Sequence, residues 1–317
     1  MSSPSSAAPA RVAPARPARA AGGPLLILIA ATLWGTTGTA ASFAPDGASS
    51  LSIGAATMGL GGLLTLLLAG RSVWGVLRGG RTTVLHALLG GLAVTVYPLA
   101  FYTSMAWAGV ATGTVVTIGS SPVFAALLER LLDGTRLTAR WLAATVSAGV
   151  GCTALVLTGH GGDAAGSNTA GGVALGLLAG ASYAVYTCSG SAVIRAGHSS
   201  RASMGALFGL GALALLPVFA LTGGPLLSGA HGIAVVGYLA VVPMFLAYVA
   251  FGAGLARVSP SSATTLSLFE PVVAAGLGVV VVGERLGGWA WTGIALVLAG
   301  LLILTVGRRT GTDPAAS

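Results

Sequence analysis

At 317 residues, of which 55% are hydrophobic and only 7% charged, the chain lacks the charge of a soluble domain, where about a quarter of residues are ionised. A mean hydropathy of +0.91 points to lipid as its solvent. The formal charge of +8 comes from arginines scattered among apolar segments rather than gathered on one patch, which excludes nucleic acid as a partner.

Residues 1–23 are Ala, Pro, Ser and Arg without apolar periodicity and cannot bury enough surface to fold alone, so a disordered cytosolic arm is expected there. Apolar runs follow near 24–44, 51–70, 84–106, 109–131, 138–158, 171–193, 203–222, 231–254, 260–282 and 287–306. Each approaches the roughly 20 residues that carry a helix across a bilayer core. The expected fold is therefore an all-α integral membrane protein with ten transmembrane helices. Only Ala108-Gly109 separates the third run from the fourth. The first run resembles a cleaved leader, with small residues at Thr39, Ala40 and Ala41, but its length and its repeat partner argue that it stays as a span.

Ten spans with the amino terminus inside place every arginine except Arg285 in cytoplasmic segments, as the bias of positive charge toward the inner face requires. Both termini, including a tail at 307–317, are then cytoplasmic in a multi-pass protein of the cell membrane.

A shift of 149 residues lays Pro122-Val123 on Pro271-Val272 and Gly134-Thr135-Arg136-Leu137 on Gly283-Glu284-Arg285-Leu286. The same shift puts Trp34 on Tyr183 and Thr37 on Tyr186. The repeats, 24–158 and 171–306, hold five spans each. An odd number turns the second copy upside down. Such inverted repeats suit transporters, because two copies of opposite topology exchange conformations and open a shared midplane site to each side in turn.

Glu270 is the one acidic residue deep within a run, where a charge costs at least about 2.5–3.5 kcal/mol. It serves either as a proton carrier or contact for a cationic substrate group, or as a hydrogen-bonded tie near the backbone freed by Pro271. Pro122 and Pro271 match across the repeats and are hinge candidates, the alternative being tolerated kinks. Trp34, Thr37, Tyr183 and Tyr186 stand at helical spacing near mid-span and suit a shared cavity wall, the alternative being ordinary packing. Ser121, beside Ser120 and Pro122, joins this set, as does Tyr97; Tyr102 and Tyr248 are weaker candidates of the same type. Cys152 and Cys188 lie in apolar runs and read as small hydrophobes. No histidine pair has metal spacing, and no phosphate cradle, Gly-x-Ser-x-Gly or His-Glu-x-x-His occurs, so no metal, cofactor or ATP hydrolysis is expected. Gly109/Gly113, Gly176/Gly180 and Gly205/Gly209 allow close helix approach, as seams within the chain or as the face of a homodimer.

Three stretches carry a family resemblance: Leu33-Trp34-Gly35; Gly109 through Pro122-Val123-Phe124; and Val258-Ser259 through Glu270-Pro271-Val272 to Gly283-Glu284-Arg285-Leu286. Over residues 24–306 the chain resembles the EamA family of the drug/metabolite transporter superfamily. Where members commonly repeat Gly-Glu-Arg-Leu after the fourth span, Thr135 replaces the glutamate, which argues against a required chemical role for it. The resemblance implies a central cavity between the halves. It also implies a permease that exports small metabolites, amino acids or toxic compounds. The leading reading is a secondary active transporter driven by an ion gradient, with protons one candidate, or by the substrate's own gradient. Uptake is the close variant. A membrane-embedded enzyme or lipid-handling protein is the alternative, and it would need paired reactive groups at one depth.

Overall fold

Lipid offers an exposed backbone amide no partner, so a crossing segment must close its own hydrogen bonds and the apolar runs become helices. The computed structural model describes residues 22–159, 168–282 and 287–306, and among these the chain is helical with short turns and no strand. The first span is α1 (Gly22–Gly35), continued beyond a turn at Thr36 by α2 (Thr37–Ala41). Then come α3 (Ser50–Ala69), the short α4 (Ser72–Leu77), α5 (Arg81–Ala108), α6 (Val110–Asp133) and α7 (Ala139–Gly159).

The second half repeats this order with α8 (Thr169–Arg195), α9 (Ser200–Thr222) and the short α10 (Gly224–Leu227). Its eighth span is α11 (Ala230–Leu239) and α12 (Ala247–Leu255), joined by a π-helical stretch at Ala240–Leu246 that holds Pro243. The ninth is α13 (Pro260–Ser267), α14 (Glu270–Leu277) and a second π-helical stretch at Gly278–Val282, and α15 (Gly288–Val306) closes the fold.

Among the described residues nine helical stretches are long and apolar enough to cross a membrane. The 21-residue α7 stands at the position of the remaining expected span. The arm up to residue 21, the tail at 307–317 and Gly283-Glu284-Arg285-Leu286 lie outside the described residues. At the expected junction of the third and fourth spans, Gly109 takes φ +88°, which lets α5 turn into α6 without a loop.

Helix contacts establish the inversion. A Cβ on Gly151 of α7 would meet Val297 N of α15 at 2.7 Å, and one on Gly300 would meet Ala148 N at 2.9 Å. The 149-residue shift carries Gly151 to Gly300 and Ala148 to Val297, so the two contacts are one contact seen from both sides. Likewise the contact of Gly23 of α1 with Arg257 is the counterpart of that of Gly172 of α8 with Ala108 of α5. In α3 and α9 the register is 150 residues: Gly59 packs on Leu216 and Gly209 on Leu66. The same pair shares its caps, since Ser49 Oγ accepts from Ser52 N at 3.1 Å and Ser199 Oγ from Ala202 N at 3.2 Å. In the α7–α15 and α3–α9 pairs the earlier of the two matched positions on one helix meets the later on the other. Repeat-related helices therefore run antiparallel, which requires the halves to be inverted.

With no hydrophobic drive between helices in lipid, these small residues supply close van der Waals contact instead. Gly176 and Gly180 of α8 sit against Ser104 and Ser120, and Gly205 of α9 sits against Ala69, all seams within the chain.

Candidate functional site

Residues three or four apart on a helix share a face, and this aims aromatic rings from both halves at one midplane volume. Tyr183 and Tyr186 on α8 stack at 5.1 Å between ring centroids. Tyr97 of α5 meets them edge-on, at 6.0 Å from each. Trp34 of α1 lies 6.3 Å from Tyr183 and 5.0 Å from Tyr248 of α12. Hydroxyl bonds fix the tyrosines: Tyr183 Oη pairs with Ser267 Oγ at 2.7 Å, and Tyr186 Oη with Tyr248 Oη at 2.8 Å.

The ninth span breaks where it reaches these rings. At Leu268 and Phe269 the N–H groups donate to Thr265 O and Leu266 O, three residues back, at 3.1 and 3.2 Å. Pro271 then supplies no donor. The tightened turn ends α13 and restarts the helix at Glu270, whose side chain faces the cavity. Gly35 lets α1 rest on this break, because a Cβ there would lie 2.6 Å from Val273 Cβ and 3.0 Å from Glu270 O. Among the described residues nothing donates a hydrogen bond to the Glu270 carboxylate.

The cavity between these rings has a volume of about 80 Å³. Trp34, Thr37, Tyr97, Tyr183, Tyr186 and Glu270 all line it, joined by Tyr102 and Tyr248. Ser121 does not. It is fully buried in α6 and donates to Ile118 O at 2.9 Å. The repeat shift carries Ser121 onto Glu270, so the carboxyl occurs in one half only. The two prolines also differ, since α6 runs through Pro122 unbroken while Pro271 follows the turn. Thr57 and Met58 of α3 and Pro243 and Met244 of the eighth span complete the wall. In uniformly apolar runs nothing marks such positions. Phe101, four residues after Tyr97, was findable by helical spacing.

A second cavity of about 310 Å³ opens at the arginine-rich end, lined by Glu129, Arg136, Arg140 and Ser262 among others. Glu129 of α6 accepts from Ser261 N at the start of α13 at 3.4 Å. Asp133 pairs with Arg195 of α8 at 3.0 Å. Arg140 donates to Ile303 O and Leu304 O of α15, both at 2.6 Å. These bonds tie the first half to the second at that end of the bundle.

The model of the EamA-like transporter family matches residues 21–157 and 170–306 of this chain. An uncharacterized transporter of Bacillus subtilis strain 168, YwfM, is 34% identical over 296 residues, 90% of this chain and 94% of that protein. A permease-like protein of the same organism, YdzE, is 34% identical over 67 residues, 21% of this chain and 86% of its own length. A solved crystal structure superposes with a TM-score of 0.74 at 23% identity, over 92% of this chain and 99% of its own, a likeness of fold.

Proposed function

The chain belongs to the EamA-like transporter family, and on that premise we propose that it is a secondary active transporter of small molecules working by alternating access. The observation that carries this reading is the cavity itself. Matched residues of the inverted halves, Trp34 and Tyr183, meet edge to face in its wall, which also holds one carboxyl, Glu270. In the reading, the substrate sits among the rings and the halves exchange conformations around it. The break at Leu268-Phe269 absorbs the motion of the ninth span, and Glu270 is the charged contact in the pathway.

The arginine distribution supports a cell-membrane orientation with both termini in the cytoplasm. The arginine-rich end, held by Glu129, Asp133 and Arg140, is then the cytoplasmic face. The family resemblance supports export. Cells overproducing the chain should accumulate one class of compound in the medium relative to vector controls, and Glu270→Gln should abolish that accumulation at equal expression. A medium indistinguishable from the control would contradict export.

A further inference from the structure

Resting on the transport reading above, we infer that the substrate carries a compact cationic head group and no carboxylate, which makes it an organic ammonium compound rather than a zwitterionic amino acid. The cavity wall sets this choice. Its one ionisable acid is Glu270, and among the described residues lining it there is no arginine or histidine. Lysine is absent from the chain altogether. A carboxylate alone in a membrane interior is expensive unless something neutralises it. No cationic side chain is there to do so among the described residues, which leaves a proton in the empty site and the substrate's own charge in the loaded one.

The rings point the same way. Trp34, Tyr97, Tyr183 and Tyr248 all line the volume, and an ammonium seated within about 6 Å of a ring centroid is attracted by the ring's negative face. Tryptophan, the strongest such ring, stands among them.

A substrate carboxylate finds no cationic partner among the described residues of the wall. The obvious donors would be the N–H groups of the helix break, but those of Leu268, Phe269, Val272 and Val273 already donate to Thr265, Leu266 and Phe269 carbonyls. Tyr183 donates to Ser267 and Tyr186 shares one bond with Tyr248, so among the described residues the hydroxyls left in the wall are the neutral ones of Thr37, Tyr97 and Tyr102. An amino acid would bring a second negative charge beside Glu270 with only neutral donors to receive it. Size narrows the class further. About 80 Å³ holds a head group rather than a drug-sized ligand, whose pocket runs to roughly 300–1,000 Å³.

The test is titration calorimetry of the purified full-length protein in lipid nanodiscs with three probes of similar shape: choline, a cation; 3,3-dimethylbutanol, its neutral isostere; and glycine betaine, the zwitterion. Choline should bind at least tenfold tighter than either of the others. Glu270→Gln should lose at least tenfold in choline affinity with dimethylbutanol unchanged. Glu270→Ser, which installs the residue of the matching position in the first half, should do the same if the glutamine variant does not fold. Betaine binding as tightly as choline, choline binding indifferent to both variants, or no heat from any probe overturns the inference. Thiol labelling of the cavity from the two membrane faces tests transport separately, so one reading can fail while the other stands.

Discussion

Trp34 and Tyr183 lie 6.3 Å apart, ring edge to ring face at 89°, and the shift that relates the two halves carries one onto the other. Equivalent positions of inverted copies meet where the local two-fold axis passes. The cavity is thus built on that axis. Aromatic pairs contribute about 0.5–1.5 kcal/mol beyond their buried area. Trp34→Leu and Tyr183→Leu should each lower the unfolding temperature in detergent, and the double variant should cost less than the sum, since contacting residues couple.

The reciprocal contact of α7 and α15 predicts matched costs. Gly151→Ala and Gly300→Ala each drive a Cβ into backbone atoms of the opposite helix and should lose about 1–3 kcal/mol, the cost of overpacking. Gly237→Ala, with open space around it, should be neutral or stabilising by up to about 1 kcal/mol, from helix propensity alone. Thermal unfolding of the three variants side by side reads this out.

The Tyr186–Tyr248 bond at 2.8 Å predicts a hydroxyl cycle. Each single phenylalanine variant should cost about 0.6 kcal/mol, and at most about 1.7, the range for hydrogen bonds between membrane helices. The double variant should cost little more than either single one.

At the arginine-rich end, removing the Glu129 oxygen leaves Ser261 N without its acceptor. Glu129→Leu should therefore lose about 1–3 kcal/mol, whereas Glu129→Gln, which keeps an acceptor oxygen, should lose much less. Asp133→Asn breaks a pair whose side chains are 52% and 37% exposed, and should cost no more than about 1 kcal/mol, vanishing in high salt. Denaturation midpoints at two salt concentrations separate these contributions.

The spans and the inverted repeat were legible because apolar length and a constant register survive in the sequence, and Trp34, Tyr183 and Glu270 stood out as polar or aromatic groups at unusual depth. Met58 and Met244 were not legible, since every face of a lipid-embedded run is apolar whether it meets lipid, helix or cavity, and Thr57 is one of several threonines that bond within their own helix wherever they face. Its neighbours Ser120 and Pro122 make Ser121 a candidate for the cavity wall, yet its hydroxyl turns back to Ile118 O within its own helix, as short side chains in membrane helices do. Glu129 passed unremarked because its partner, the N–H of Ser261, lies 132 residues away in sequence.

The central claim is that one cavity serves both faces of the membrane. Met58, in the cavity wall near the middle of α3, is replaced by cysteine after Cys152 and Cys188 are changed to alanine, and a membrane-impermeant thiol reagent is applied to intact cells and to inside-out vesicles. The account predicts labelling from both sides. Labelling confined to one face under every condition would contradict it.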